Sequence, residues 1–139
     1  MDPSMIPDAH PKPWLNLLRE YVAETVQALA AGGLRVDRSW LDPDCPRDAT
    51  ILYRCVDGAD ETPRALVWDE ETGWRDGVCV SGEPGARTRL VEGTYLGGGL
   101  LVSGAELAHR RQHGVRVDRT VYRSRRDVRD GLDDALRTR

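Results

Sequence analysis

The sequence contains no phenylalanine, few other aromatic residues and only three cysteines. Cys45, Cys55 and Cys79 are odd in number, and no two of them have the CxxC spacing of zinc or redox motifs. This pattern disfavours a disulfide framework and is typical of reduced thiols in the cytoplasm. We therefore predict buried structural cysteines, a cytoplasmic location and no bound metal.

The sequence also lacks a basic excess and a long apolar run. Its net charge of −3 argues against a protein dedicated to nucleic acids or to anionic membranes. No stretch approaches the roughly 18 apolar residues that a membrane span requires. The N-terminal residues MDPSMIPDAHPKPW lack the basic and apolar regions of a secretory signal. We therefore expect neither nucleic acid nor a membrane as a partner.

Lysine is almost absent, since Lys12 is the only one among 20 basic residues. Bands of arginine can indicate phosphate recognition, because the guanidinium group binds phosphate through two parallel hydrogen bonds. A GC-rich genome explains the same bias through its arginine codons, and it also explains the abundance of alanine, glycine, valine and aspartate. We favour the second interpretation, which suggests an actinobacterial source.

The N-terminal third divides into a tail and a helix. Residues 1–13 are predicted to be a flexible tail, because they hold four of the eight prolines and few apolar residues. From Trp14, apolar residues recur at three- and four-residue spacing, which predicts an amphipathic helix over residues 14–31. Residues 14–139 are predicted to form a single domain, since no repeat or composition change divides them.

Five short segments have β-strand character and alternate with turns of glycine, proline and aspartate. In the first of them, Leu34, Val36 and Trp40 are predicted to lie on one side. No helix-length segment separates the strands, which disfavours parallel crossovers. The predicted fold class is therefore α+β, with the N-terminal helix packed on a roughly five-stranded antiparallel meander sheet. The predicted strands are 34–41, 49–56, 65–69, 74–82 and 88–96.

One or two helices are predicted after the sheet. Ser103 and Glu106 have the spacing of a capping box, which predicts a helix from about 104 to 113 that ends at Gly114. A short final helix is predicted behind Ser124 as its cap. Its apolar face would consist of Val128, Leu132, Ala135 and Leu136.

The polar clusters do not form a catalytic or metal-binding pattern. His109 and His113 share a helix face and could be two metal ligands, but no third ligand accompanies them, so a solvated helix face is preferred. Acids interrupt the basic segment RSRRDVR at 123–129, which favours a charged helix face over partner docking and over DNA contact. We predict no catalytic residues, no metal and no cofactor.

Three segments together resemble a known family. They are the helix segment REYVAETVQALAAGG at 19–33, the hairpin ALVWDEETGW at 65–74 and the segment LVEGTYLGGG at 90–99. The sequence resembles a family of small actinobacterial proteins of unknown function with an LLWDExxGW-like hairpin, a YLGG-like segment and a YVxxVAxAL-like helix. The resemblance covers roughly residues 15–112. It implies a single cytoplasmic domain and no particular chemistry, because the family has no assigned activity.

Turn chemistry predicts how the hairpin pairs. If residues 70–73 form a turn closed by glycine, Asp69 lies opposite Trp74, and Trp68 lies opposite Arg75. Because side chains alternate along a strand, the two tryptophans would then lie on different faces of the sheet. The acids of the turn would be solvated.

The sheet face without the N-terminal helix is the predicted binding surface. Trp68 is predicted to lie on this face, where Leu66, with Tyr53 or Tyr95, would extend an apolar patch unless the C-terminal helices cover it. The predicted binding residues are Trp68, Leu66, Tyr95, Tyr53 and Arg75.

These features favour a non-enzymatic binding or adaptor protein that acts through a sheet face or a dimer interface. Its expected partner is another protein or a second copy of the chain, and a small-molecule ligand is a further option. The first alternative is a small enzyme with a site near the sheet–helix junction, around Asp69, Asp76, His109 or Tyr95. The second is a transcription-associated protein that uses its C-terminal arginine-rich helix.

Overall fold

The computed structural model of the protein describes residues 5–41, 46–55, 62–126 and 129–139. A five-stranded antiparallel sheet has the strand order β1-β2-β3-β4-β5, with helices before and after it. The predicted α+β fold is therefore confirmed. The elements are α1 (Pro13–Asn16), α2 (Arg19–Ala31), β1 (Leu34–Trp40), β2 (Asp48–Cys55), β3 (Arg64–Asp69), β4 (Gly73–Ser81), β5 (Arg89–Tyr95), α3 (Gly104–Gln112) and α4 (Leu132–Arg137).

The N-terminal helix is broken, contrary to the prediction of one helix over residues 14–31. The backbone amide of Leu18 donates to the carbonyl of Leu15 at 3.1 Å, so the chain tightens between α1 and α2. This turn allows Leu15 and Leu18 to be fully buried together. The apolar spacing continues through the break, and for that reason spacing alone predicted a single helix.

The core lies between α2 and one face of the sheet. Tyr21 of α2 packs on both hairpin tryptophans, with its ring centroid 6.2 Å from Trp68 and 6.2 Å from Trp74. Trp74 Nε1 donates to the Tyr21 hydroxyl at 3.0 Å, and that hydroxyl donates to the carbonyl of Val102 at 2.6 Å. Trp68 Nε1 donates to the carbonyl of Leu100 at 2.8 Å. Each buried polar group of these rings therefore has a partner.

The hairpin register differs by one residue from the prediction. Asp69 pairs with Gly73, and Trp68 pairs directly with Trp74, so both tryptophans lie on the face that α2 covers. The turn consists of the three residues 70–72, because the Asp69 carboxylate accepts hydrogen bonds from the backbone amides of Glu71 and Thr72. Gly73, at φ 77°, is then the first residue of β4. The prediction that Trp68 faces away from the first helix is wrong.

A β-bulge in β1 also changes the face of one residue. The pairing of β1 with β2 shifts between Val36 and Arg38, so Asp37 is the extra residue. Val36 pairs with Tyr53 on the α2 side, whereas Trp40 pairs with Thr50 on the opposite face. The prediction that Val36 and Trp40 share a side is therefore wrong, because strict alternation does not survive a bulge.

The loop 82–88 lies over the opposite face of the sheet. The hydroxyls of Thr88 and Thr50 are 2.7 Å apart, and Arg87 forms an ion pair with Asp48 at 2.9 Å. A Cβ atom at Gly82 would lie 3.4 Å from the Trp40 ring, so the loop is in close contact with the sheet. The loop between β4 and β5 thus partly covers this face of the sheet. The sequence did not predict that contact.

The turn acid Glu70 is buried rather than solvated, contrary to the prediction. Its side chain is 1% exposed and lies between Arg47 and Arg123. Arg47 Nε lies 3.2 Å from one carboxylate oxygen, and Arg123 donates to the other at 2.6 Å. Arg47 also reaches Asp133 of α4 at 2.9 Å, and it stacks 3.7 Å above the Trp14 ring. A buried ionic network therefore ties the C-terminal segment to the hairpin.

Of the two predicted C-terminal helices, the first is confirmed and the second is shorter than predicted. The Ser103 hydroxyl accepts from the backbone amide of Glu106 at 3.1 Å, as the capping-box spacing predicted. The last helix begins at Leu132 and not behind Ser124, because Gly131, at φ 90°, has a left-handed backbone conformation that cannot be part of the helix. The predicted face residue Val128 lies outside the described residues.

Candidate functional site

A cavity of about 680 Å³ lies at the end of the sheet next to α3. We call it the arginine cavity, because Arg64 of β3, Arg111 of α3 and Arg116 all line it. Asp76 of β4 lies within it, and its apolar lining consists of Val78, Val91, Leu96 and Val115. Its volume falls within the range of small-molecule sites.

The hydroxyl of Tyr53, a fully buried residue, is hydrogen-bonded to three side chains that line this cavity. It donates to Asp76 and accepts from Nε of Arg64 and Nε of Arg111, each at 3.1 Å. Arg64 also forms an ion pair with Asp76 at 3.2 Å. Burial, followed by the negative charge of Asp76, raises the pKa of Tyr53 to about 12. The tyrosine therefore keeps its proton at neutral pH and acts as a fixed hydrogen-bonding group.

Within the described segments, Arg111 donates to a hydroxyl and to a cysteine sulfur. Its guanidinium donates to the Tyr53 hydroxyl and, at 3.1 Å, to Cys55 Sγ, and no carboxylate among the described residues forms an ion pair with it. The nearby Asp76 is already paired with Arg64. Arg116 makes a long contact of 3.4 Å with the Thr94 hydroxyl. Arg111 and Arg116 on the cavity wall therefore form no ion pair with any carboxylate that the structure describes.

A second cavity of about 370 Å³ lies on the opposite face of the sheet. We call it the Asp48 cavity, and its charged and aromatic lining includes Asp48, Asp69, Arg75, Arg87, Tyr95 and Arg119. Asp48 and Asp69 are direct partners across β2 and β3, and Arg75 and Tyr95 are direct partners across β4 and β5. Asp48 and Asp69, on β2 and β3, therefore lie on the same polar face of the sheet as Arg75, on β4.

Burial strongly raises the pKa of the Asp48 carboxyl. The residue is 3% exposed, and desolvation raises the pKa of its carboxyl to about 7, against the opposing charge of Arg87. Asp69 adds a smaller repulsion in the same direction as burial. By contrast, the Asp69 oxygens already accept from two backbone amides and the Thr72 hydroxyl, so this acid is committed to the turn.

The pKa of Asp48 predicts a pH-dependent stability. Because the folded protein holds this proton more tightly than the unfolded chain, the contribution of Asp48 to stability falls as the pH rises from about 4 to about 7. We expect Asp48→Asn to raise the free energy of unfolding by about 2 kcal/mol at pH 8, which is part of the cost of ionising the buried carboxyl. This gain should shrink as the pH falls towards 4.

Urea unfolding of Asp48→Asn and of the wild type at pH 5 and pH 8 measures this effect. Asp118→Asn, at an exposed position, is the control and should leave the pH dependence unchanged. An Asp48→Asn variant that is less stable than the wild type at pH 8 would contradict the predicted sign.

The structure separates the five predicted binding residues into three places. Leu66 and Trp68 are fully buried in the core under α2, so they form no exposed apolar patch. Tyr53 is also buried, but its hydroxyl is the centre of the cluster at the arginine cavity. Arg75 and Tyr95 are half-buried and line the Asp48 cavity.

The sequence reasoning missed Arg111 and Asp48, which are central to the two cavities. Arg111 lies between two histidines in HRRQH, and their spacing is the more conspicuous signal, but His109 and His113 are exposed with their rings 4.2 Å apart. No group of three or more metal-ligating side chains occurs in the residues that the structure describes. No sequence signal identified Asp48, since its burial depends on the fold of the loop 82–88.

The cysteines do not extend either polar cluster into a metal site. Cys55 and Cys79 are unbridged and half-buried, rather than fully buried as predicted, and Cys45 lies outside the described residues. No helix in the described segments is both long enough and apolar enough to cross a membrane.

Comparison with known proteins gives a family but no activity. No curated protein and no solved structure matches the chain. The model of DUF6292, a family of unknown function, matches residues 21–113, which include most of α2, the five strands, α3 and most residues that line the two cavities. Because this match covers more than half of the sequence, the chain belongs to the DUF6292 family of unknown function.

Proposed function

We propose that the protein is a non-enzymatic binding protein that takes a small organic anion into the arginine cavity. The observation that carries this proposal is the pairing of Arg111, which among the described residues donates to the Tyr53 hydroxyl and the Cys55 sulfur and forms no ion pair with a carboxylate. A carboxylate or phosphate group would give this guanidinium a charged partner, with the strength of a charge-assisted hydrogen bond.

The shape and lining of the cavity support an anion with an apolar body. Arg64, Arg111 and Arg116 supply positive charge, whereas Val78 and Leu96 belong to its apolar lining. A few fixed polar groups in an otherwise apolar concavity are typical of small-molecule sites. Arg111 donates to the Tyr53 hydroxyl and Arg64 donates to the Asp76 carboxylate, so both guanidinium groups are held in place before a ligand arrives, which lowers the entropic cost of binding.

The proposal predicts that charge decides which small molecules bind. Calorimetric titration of the protein with hexanoate and with hexyl phosphate is expected to show binding, whereas hexanol and hexylamine are expected to bind at least tenfold more weakly. Replacing Arg111 with glutamine should weaken anion binding about 10- to 100-fold, the worth of a hydrogen bond to a charged group. Arg111→Lys should keep part of the affinity, because it keeps the charge but loses the planar fork.

Arg35→Gln provides the matched control, since Arg35 is exposed on β1 and does not line the cavity. Its affinity for hexanoate should equal that of the wild type. Equal binding of hexanol and hexanoate, or full affinity in Arg111→Gln, would rule out an anion site built on Arg111.

The adaptor form of the proposal would use the β4–β5 side of the sheet. Val80 and Val91 are 59% and 49% exposed there, which is unusual for strand valines and supports a homodimer or a protein partner at this surface. If light scattering shows that the protein is strictly monomeric, the homodimer is ruled out. The proposal of a small-molecule site in the arginine cavity is not affected by that result.

The enzyme and transcription proposals have weaker support. The Asp69 oxygens accept hydrogen bonds within the turn, so the acid–base reading lacks one of its candidate groups. Arg123 of the C-terminal basic segment is buried against Glu70 and Asp130, which leaves fewer arginines for DNA.

We also propose a cytoplasmic location, supported by the unbridged Cys55 and Cys79, and an actinobacterial source, supported by the arginine bias.

A further inference from the structure

Asp48 and Arg75, which line the Asp48 cavity, each have one buried side-chain atom with no partner among the described residues. Oδ1 of Asp48 accepts no hydrogen bond there, although Oδ2 is paired with Arg87. Nε of Arg75 likewise donates to no acceptor in these segments. Unsatisfied buried polar atoms are costly, so a ligand that pairs with both side chains would be favoured at this cavity.

The two atoms require opposite partners. Asp48 Oδ1 is a carboxylate oxygen and needs a donor, whereas the guanidinium of Arg75 needs an acceptor. Asp69 lies beside Asp48, on the neighbouring strand, and reinforces the negative potential at that end. Arg119 joins Arg75 in the lining and reinforces the positive potential. The cavity is therefore complementary to a ligand that has both charges.

We propose that the Asp48 cavity binds a small zwitterion, with an ammonium group on Asp48 and a carboxylate on Arg75 and Arg119. A volume of about 370 Å³ suits a ligand of amino-acid size. A singly charged ion would pair with only one of the two side chains and would leave the other buried atom without a hydrogen-bond partner. This site is separate from the arginine cavity and does not depend on the proposal made for that cavity.

Calorimetric or NMR titration of the full chain tests the proposal with glycine, β-alanine and 4-aminobutanoate as probes. Acetate and methylammonium, at equal ionic strength, carry the two charges separately. At least one zwitterion is expected to bind tenfold more tightly than either ion. Asp48→Asn and Arg75→Gln should each weaken that binding at least tenfold, whereas Arg89→Gln, at an exposed position on β5, should not change it.

The pH dependence provides a second readout that does not need a variant. Arg87, Asp69 and Arg75 set the electrostatic environment of Asp48, and Glu71, Tyr95 and Arg119 also line the cavity. Since an ammonium group binds the ionised carboxylate, affinity should rise about tenfold between pH 6 and pH 8 as Asp48 loses its proton. Zwitterions that bind no better than acetate, unchanged affinity in a folded Asp48→Asn, or affinity independent of pH would each overturn the proposal.

Discussion

Replacing Glu70 with alanine is expected to lower the free energy of unfolding by about 3 to 5 kcal/mol, the loss that follows when one member of a buried ionic group is removed. Arg47 is fully buried and Arg123 nearly so, and both donate to the Glu70 carboxylate. Without it, Arg47 keeps only Asp133 as an ion-pair partner among the described residues. The remaining positive charge would then be poorly compensated in a desolvated place.

Urea unfolding followed by tryptophan fluorescence measures this loss. Glu70→Gln keeps the shape and removes the charge, so it should be destabilised to a similar extent. Glu83→Ala, in the exposed loop 82–88, is the control and should change stability by less than about 0.5 kcal/mol. A loss below about 1 kcal/mol for both Glu70 variants would show that this acid is solvated, as turn acids usually are.

Replacing Trp68 with alanine is expected to cost about 3 to 5 kcal/mol, the usual range for removing a large aromatic side chain from a core. Trp68 is fully buried, packs edge-on against Tyr21, and donates to the carbonyl of Leu100. The substitution would leave a cavity between α2 and the sheet and would also leave that carbonyl without its donor. The effect therefore combines a packing loss with a hydrogen-bond loss.

The same substitution distinguishes a core residue from a residue on an exposed binding face. Thermal and urea unfolding of Trp68→Ala should show the full loss, and Trp68→Phe should recover part of it because the ring still packs. Val121→Ala provides the exposed reference, with an expected change within about 0.5 kcal/mol. A Trp68→Ala variant as stable as the wild type would place this ring on the surface.

The sequence predicted the elements well, because their signals are local. Glycine, proline and aspartate turns separated five β-rich segments, and the Ser103–Glu106 spacing marked the start of α3. The register of the β3–β4 hairpin was wrong by one residue, since the sequence could not show whether Gly73 belongs to the turn or to the strand. That single step moved Trp68 from the predicted exposed face to the core.

The candidate sites were harder to predict because distant residues form them. Glu70 looks like an ordinary turn acid until Arg47 and Arg123, which lie 23 and 53 positions away in the sequence, are brought against it. Arg111 becomes a candidate ligand-binding group only when α3 places it beside Tyr53, 58 positions earlier. Of the predicted binding residues, Arg75 and Tyr95 line the Asp48 cavity, and Tyr53 is buried behind the arginine cavity, where its hydroxyl accepts from Arg111.

A crystal structure of the protein with hexanoate bound tests most directly whether the arginine cavity is an anion site. The carboxylate is expected to lie about 3 Å from the guanidinium nitrogens of Arg111, with the hydrocarbon chain against Val78 and Leu96. Hexanoate bound elsewhere, or with its carboxylate turned away from Arg111 towards solvent, would contradict the proposed function.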